Sequence, residues 1–296
     1  MKLKLYFLET RPHFLLLSVV LAFLGASIAW YDGYFHIGYA LLAGFGLLLT
    51  HISVNTLNDY FDYRSGVDLA TKRTPFSGGS GFLPAKLLTP GQVFWLGMSS
   101  FLLAVVIGIF FLVTKGWLLL PLLLLAAVCV LFYTPVILKT PWPEWAAGLG
   151  LGTLPILGLY FVQSAQYTWH AVIASIPSGI LVHNLLLLNE FPDVEADGQA
   201  GRRTLPIILG GARASLIYSG FSIAVYLWVI GWVSAGVMPV FCLISLLTIP
   251  FALKAIKGSR RHQDMAQLVP AMASNVLVVL VTQLLLGIGY ILGGIF

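Results

Sequence analysis

Nine apolar runs, each roughly 20 residues long, limit most strongly what this chain can fold into. A helix of about that length crosses a bilayer, and the runs lack the alternation of polar and apolar residues found in membrane barrel strands. They lie at about 13–31, 35–58, 91–113, 117–134, 144–163, 168–189, 212–233, 237–255 and 268–292. The sequence therefore predicts an all-α membrane protein, a single polytopic domain over 1–296 with nine transmembrane helices.

Composition agrees with a protein that lies in the bilayer. Hydrophobic residues make up 59% of the 296 residues and charged residues only 9%, whereas soluble domains carry about 25% charged residues. The first run continues to Trp30, beyond the length of a signal-peptide core, so we expect a membrane helix rather than a cleaved signal. Cys129 and Cys242 lie inside apolar runs and are expected to pack as small apolar side chains.

The distribution of positive charge predicts the orientation, because cytoplasmic loops are enriched in lysine and arginine. With nine spans and a cytoplasmic N-terminus, every lysine and arginine except Lys115 falls on the cytoplasmic side. The C-terminus then lies outside, and we expect a multi-pass protein of the cell (inner) membrane. The same bias explains the formal net charge of +5, so nucleic acid is not expected as a partner.

Two acidic segments follow the second and the sixth apolar runs. In the first, Asn55, Asn58, Asp59 and Asp62 recur at helical spacing and share one face. In the second, Glu190, Asp193 and Asp197 do the same. Of the eleven acidic residues of the chain, the two segments hold Asp59, Asp62, Asp68, Glu190, Asp193, Glu195 and Asp197. Because both segments emerge on the same membrane face, we expect them to form one site.

The residue types in these segments favour a hard divalent cation. Carboxylates about 4 Å apart repel by about 4 kcal/mol at an effective dielectric constant near 20, so a positive charge must lie between them. Oxygen ligands without Cys or His favour Mg²⁺ over zinc. Mg²⁺ commonly binds substrate phosphates as well, which predicts a diphosphate substrate.

Basic residues near the acidic segments are candidates to bind that diphosphate, with positive-inside topology as the alternative explanation. They are Lys72, Arg73, Arg202 and Arg203. A long loop from about 63 to 90, rich in glycine and serine, follows the first segment. We interpret it as a lid over the site, the alternative being a flexible linker.

A diphosphate at the membrane face of a helix bundle suggests that the substrate has a lipid tail among the helices. The reaction that uses both parts is transfer of a prenyl group to an aromatic acceptor.

The two motifs resemble the aspartate-rich motifs of the UbiA-type intramembrane prenyltransferases. The matching residues are Asn58-Asp-Tyr-Phe-Asp62 with Gly66 and Asp68, then Asn189-Glu-Phe-Pro-Asp193 with Asp197 and Gly201-Arg-Arg-Thr-Leu205. The resemblance covers nearly the whole chain. It implies helices bundled around a central cavity, with Mg²⁺ and a polyprenyl diphosphate held between motif loops at about 59–90 and 190–211 on the cytoplasmic side.

The resemblance also implies roles for individual residues. Asn58, Asp59 and Asp62 would hold one Mg²⁺, and Asp193 and Asp197 would hold the other, with Asp68 as a further candidate ligand. Asp62 and Asp193 would also be essential to catalysis. In the family a third aspartate follows the second by four residues, but here that position is Gly66 and Asp68 comes later. Asn189 and Glu190 would lie beside the ligands. Tyr133 would act at the acceptor pocket, unless it is an aromatic anchor at the membrane interface, and Lys139, which follows it, would bind the diphosphate.

Two further residues, His51 and Asn55, lie on the face of the first motif. They would contact the acceptor or support the ligands, although a single histidine in an apolar helix is more often a packing residue.

Within the family, Arg11-Pro12, Trp30 and Gly66-Val-Asp68 are similar to the 1,4-dihydroxy-2-naphthoate prenyltransferases of menaquinone synthesis. Other acceptors, namely 4-hydroxybenzoate, homogentisate, chlorophyllide or haem, remain alternatives. A multi-helix transporter is a further alternative, but transporter sites lie near the membrane midplane rather than at helix ends. The sequence does not predict prenyl chain length or oligomeric state.

Overall fold

The computed structural model describes residues 2–71 and 73–296, and over these residues it contains helices and no strand. In chain order the α-helices are α1 (Lys2–Glu9), α2 (Pro12–Tyr31), α3 (Ile37–Ser65), α4 (Val67–Ala70), α5 (Pro90–Lys115), α6 (Leu120–Leu131), α7 (Glu144–Gly148), α8 (Leu154–Ser164), α9 (Trp169–Asn189), α10 (Val194–Gln199), α11 (Leu205–Leu209), α12 (Gly211–Ser234), α13 (Ile249–Ser259) and α14 (Met265–Ile295). A π-helical stretch, Leu149–Thr153, joins α7 to α8, and a 3₁₀ stretch, Val240–Thr248, leads into α13.

Eight helical segments among the described residues are long and apolar enough to cross a membrane. The remaining predicted span, 117–134, corresponds to a shorter apolar segment, Trp117–Leu131. At 1.5 Å per residue it is about 22 Å long, less than the roughly 30 Å of a hydrocarbon core. A nine-fold crossing and the orientation of the termini therefore stay predictions.

One predicted boundary is wrong, because α3 does not end near residue 58. It continues through the first acidic segment to Ser65, where Gly66 adopts a φ of +84° and ends the helix. Glycine takes this left-handed conformation at little cost, and such a residue commonly terminates a helix. Asp59 and Asp62 therefore lie on a rigid helix rather than on a loop.

Capping residues explain where several helices begin. The Thr89 hydroxyl accepts a hydrogen bond from the Gln92 amide, and Pro90 fits the first turn of α5. The Thr168 hydroxyl caps α9 by accepting from the Ala171 amide at 3.1 Å. These caps satisfy amide groups that have no partner inside their own helix.

A polar cluster fastens three helices below the second acidic segment. Asn184 on α9 donates to the Tyr218 carbonyl at 2.9 Å, and Tyr218 on α12 donates through its hydroxyl to Asn275 on α14, also at 2.9 Å. Asn275 returns a bond to the Asn184 carbonyl. Both cysteines are buried, as predicted, and neither forms a disulfide.

Close packing of α14 against the 3₁₀ stretch gives a test of the bundle. A Cβ at Gly289 would lie 2.7 Å from the Cα of Cys242, whereas a Cβ at Gly231 would meet nothing within 4 Å. We expect Gly289→Ala to lower the free energy of unfolding by about 1–3 kcal/mol through overpacking. Gly231→Ala should leave the melting temperature in detergent unchanged or raise it, since alanine favours helix over glycine. Equal melting temperatures for the two variants would contradict this packing.

Candidate active site

The first acidic segment forms the last turns of α3. The Asn58 side chain donates to Asp62 Oδ2 and to the Thr134 hydroxyl, both at 3.1 Å. One turn earlier, Asn55 donates to the Thr10 carbonyl at 3.1 Å. The helical spacing predicted from the sequence therefore places these side chains on one face, and the hydrogen bonds fix their orientation.

The second acidic segment begins where α9 ends at Asn189. A 3₁₀ turn, Phe191–Asp193, redirects the chain into the short helix α10. Asp197 on α10 and Glu190 before the turn are both buried. The change of direction brings acidic side chains from two separate helices to the same cavity.

Arg202 joins the two acidic segments. Its guanidinium forms ion pairs with Asp62 of the first segment and with Asp197 of the second, the latter at 2.8 Å. The Arg202 side chain is only 11% exposed, so water screens these ion pairs weakly. The guanidinium supplies the positive charge that two neighbouring carboxylates require.

Further buried oxygen atoms of the site lack a hydrogen-bond donor. Oxygen atoms of Asp59, Asn189, Glu190 and Asp193 are buried without a hydrogen-bond donor. Burial, followed by the neighbouring charge of Asp59, raises the pKa of Asp68 to about 7. Orphaned buried oxygens and carboxyl groups that resist ionisation both indicate a shortage of positive charge.

This donor set fits Mg²⁺, which prefers carboxylate and amide oxygens. No group of three or more His, Cys, Asp or Glu side chains within residues 2–71 and 73–296 is arranged to hold a metal ion. Arg202 lies between Asp62 and Asp197 and forms an ion pair with each. The structure thus has the ligand types that the sequence predicts, with an arginine between two of them.

The loop after α4 folds over the first acidic segment. The Ser80 amide donates to Asp59 Oδ2 at 2.8 Å, and the Ser80 hydroxyl donates to Glu9 at 2.7 Å. Burial, followed by the charge of Asp59, raises the pKa of Glu9 to about 8. Gly79 lies against Asp68, where a Cβ would be 3.0 Å from the carboxylate. The loop therefore covers Asp59, which does not line the cavity.

The predicted site residues divide into those that line the cavity and those that do not. The lining includes His51, Asn55, Asn58, Asp62, Asp68, Tyr133, Asn189, Glu190, Asp193, Asp197 and Arg202. Arg73, Lys139 and Arg203 are exposed and absent from the lining, and Arg73 donates to the carbonyls of Gly78 and Gly79. Lys72 lies outside the described residues. Arg202 is thus the one predicted diphosphate ligand that the described part of the chain places in the cavity.

Below the acidic residues the cavity continues between apolar walls. These include Leu17, Val182, Leu186 and Val279. His51 lies in this wall, and its Nδ1 is 2.8 Å from the Ser18 hydroxyl. The Tyr133 hydroxyl is buried without a partner, and burial, then the charge of Glu190, raises its pKa well above the usual value. A polar end and an apolar body suit an amphipathic substrate.

Sequence reasoning missed two charged residues of the site, Glu144 and the side chain of Arg11. Glu144 at the start of α7 is fully buried, accepts from the Leu205 amide at 2.6 Å and lies near Glu190. Arg11 lines the cavity and lies 3.5 Å from Asp59. Glu144 is the first residue of an apolar run, and a charged side chain at such a position is expected to face the interior of the bundle and to have a partner there. That position in the sequence is the signal by which Glu144 could have been found.

Comparison with known proteins identifies the fold and its relatives. The profile of the UbiA prenyltransferase family matches residues 18–293. The 1,4-dihydroxy-2-naphthoate octaprenyltransferase of Bacillus subtilis (strain 168) is 29% identical over 270 residues, covering 90% of this chain and 85% of that protein.

Two solved structures share the architecture. A UbiA homologue from Aeropyrum pernix K1 in its apo form superposes with a TM-score of 0.73 at 17% identity, covering 94% of this chain and 97% of that chain. A UbiA homologue from Archaeoglobus fulgidus, bound to DMAPP and Mg²⁺, has a TM-score of 0.64 at 14% identity, covering 93% of this chain and 98% of that chain. At these identities the likeness shows the fold.

Proposed function

The chain belongs to the UbiA prenyltransferase family, and from that membership we propose that it transfers a polyprenyl group from a prenyl diphosphate to 1,4-dihydroxy-2-naphthoate, with Mg²⁺ as cofactor. The convergence of two acidic segments on one cavity with apolar walls carries this proposal. The relative from Bacillus subtilis bears the name of this acceptor. We place the reaction in a single domain of the cell membrane, with the site open to the cytoplasm.

The donor set suits loss of a diphosphate. The allylic carbon–oxygen bond breaks, the diphosphate leaves with the electron pair, and a ring carbon of the acceptor bonds to the allylic carbon. The ring regains aromaticity by losing a proton or carbon dioxide from that carbon. Mg²⁺, when bound, neutralises the charge that grows on the leaving diphosphate.

The protein's own side chains do the remaining work in this proposal. Asn58, Asp62, Asp193 and Asp197 would hold the Mg²⁺, with Asp59 and Asp68 as further candidate ligands, and Arg202 would bind phosphate oxygens. The apolar walls, including Leu17 and Val279, keep water from the allylic cation. Tyr133 forms the part of the cavity wall that lies between the acidic end and the bound acceptor.

Product analysis tests the proposal. Purified protein is incubated with Mg²⁺, a prenyl diphosphate and a panel of aromatic acids that includes 1,4-dihydroxy-2-naphthoate and 4-hydroxybenzoate. We expect a prenylated naphthoate product by mass, abolished by chelator. A product from 4-hydroxybenzoate alone would contradict the acceptor, and no product from any acid would contradict the function.

His51 gives a sharper test of where the acceptor binds. Its Nδ1 is held by Ser18, so its other ring nitrogen is the one offered to the cavity. We expect His51→Leu to raise the KM for the acceptor about tenfold, the worth of one hydrogen bond of about 1.4 kcal/mol. The KM for the prenyl diphosphate should not change. Equal rises in both KM values would indicate a packing role for His51.

A further inference from the structure

A groove rich in positive charge lies apart from the candidate active site, between the end of α13 and the start of α14. Lys254, Lys257, Arg260 and Arg261 line it. Residues 254, 257 and 261 are spaced at i, i+3 and i+7. If the helical geometry of α13 continues into the turn that follows it, the three side chains lie on one side. The helix and its C-terminal turn therefore present a cationic strip.

The charge of this strip is not neutralised within the protein. All four cations are exposed, and none takes part in an ion pair among the residues that the structure describes. Asp264, the nearest acid along the chain, is engaged as the cap of α14, where it accepts from the Ala266 amide at 2.9 Å. An anion at the groove would meet attraction from all four side chains.

The other walls of the groove are apolar. Pro250, Leu253, Pro270 and Ala271 line it beside the cations, and Leu253 is 51% exposed. At Gly258 the two helices touch, since a Cβ there would clash with the Cβ of Ala271. The groove thus has a closed floor, a cationic end and an apolar surface that runs along α13.

The groove lies at the same end of the bundle as the acidic cavity. The ring of His262, next to Arg261, packs against Phe191 with 5.3 Å between centroids. Ser259 at the end of α13 is 2.9 Å from Ser215 at the start of α12. Both acidic segments end the membrane helices α3 and α9 at this level, which is therefore the level of lipid headgroups.

We propose that this groove binds one anionic phospholipid, with its phosphate at Lys257 and Arg261 and an acyl chain along Leu253. Basic pockets between membrane helices are suited to acidic headgroups. A free phosphate would use the cations but not the apolar wall. Positive-inside topology alone would not require four cations around one groove.

Lipid binding by purified protein tests the proposal. Native mass spectrometry follows the binding of phosphatidylglycerol, with phosphatidylcholine as the neutral comparison, to the wild type and to the double variant Lys257→Gln/Arg261→Gln. Each cation contributes about 1 kcal/mol near an anionic surface, so the variant should bind phosphatidylglycerol roughly 30-fold more weakly. Phosphatidylcholine binding should not change.

The matched control is Lys4→Gln/Lys86→Gln, which removes two exposed cations predicted to lie on the same membrane face. It should bind phosphatidylglycerol as the wild type does. Equal losses in both double variants, wild-type binding by the groove variant, or full competition by glycerol 3-phosphate would each overturn the proposal. If the groove variant does not fold, Lys254→Gln/Arg260→Gln repeats the test on the same wall.

Discussion

Asp193→Asn should lower turnover about a thousandfold while leaving the protein folded. The carboxylate has a buried oxygen without a donor, and the like charges of Asp197 and Asp62 act on it. Removing its charge therefore relieves repulsion in the protein without metal. Under the proposed function, the same change would remove a ligand of the Mg²⁺ that stabilises the leaving diphosphate, a contribution of several kcal/mol.

Steady-state turnover at saturating Mg²⁺, with melting temperature in chelator, checks this prediction. Glu195→Gln is the matched control, because Glu195 lies in the same segment but is exposed and absent from the cavity lining. It should keep wild-type turnover. Near-normal turnover in Asp193→Asn, or a matching loss in Glu195→Gln, would show that Asp193 has no special role.

Arg202→Gln should be the most destabilising charge change in the site. The substitution leaves Asp62 and Asp197 buried and facing each other without their shared cation. Removing one partner of a buried ion pair costs about 3–5 kcal/mol. We expect the melting temperature to fall in chelator and to recover in Mg²⁺ by more than the wild type gains, because the ion no longer competes with the guanidinium.

The neighbouring arginine provides the control for that experiment. Arg203 is exposed and outside the cavity lining, so Arg203→Gln should melt as the wild type does with and without Mg²⁺. A Mg²⁺-dependent recovery of the same size in wild type, Arg202→Gln and Arg203→Gln would contradict competition between Arg202 and the cation.

The sequence was sufficient to predict the helical bundle and the meeting of the two acidic segments at one cavity. The lengths of the apolar runs alone located the long helices, since few structures other than helices satisfy backbone hydrogen bonds in lipid. The spacing of Asn55, Asn58, Asp59 and Asp62 predicted a shared face, and α3 provides it by continuing to Ser65. The shared face predicted from the spacing is present in the structure because these side chains lie on one uninterrupted helix.

Long-range partners were less predictable. The sequence singled out Arg202 by its charge and position, but its pairing with Asp62 depends on how α3 and the chain after α10 meet in space. Arg73 and Arg203 share that charge and a similar position relative to the motifs, yet they lie outside the cavity lining. Local sequence does not distinguish these arginines, because tertiary packing decides which side chain is buried.

Glu144 was missed for the same reason, since its proximity to Glu190 is set by the packing of α7 against α9.

Binding of Mn²⁺ as a substitute for Mg²⁺, in the presence of a non-hydrolysable prenyl diphosphate analogue, tests most directly whether the two acidic segments hold one metal–diphosphate complex. We expect wild-type protein to retain Mn²⁺ only with the analogue, and Asp62→Asn and Asp193→Asn each to lose it. Undiminished Mn²⁺ retention in the protein with both aspartates replaced would contradict the account.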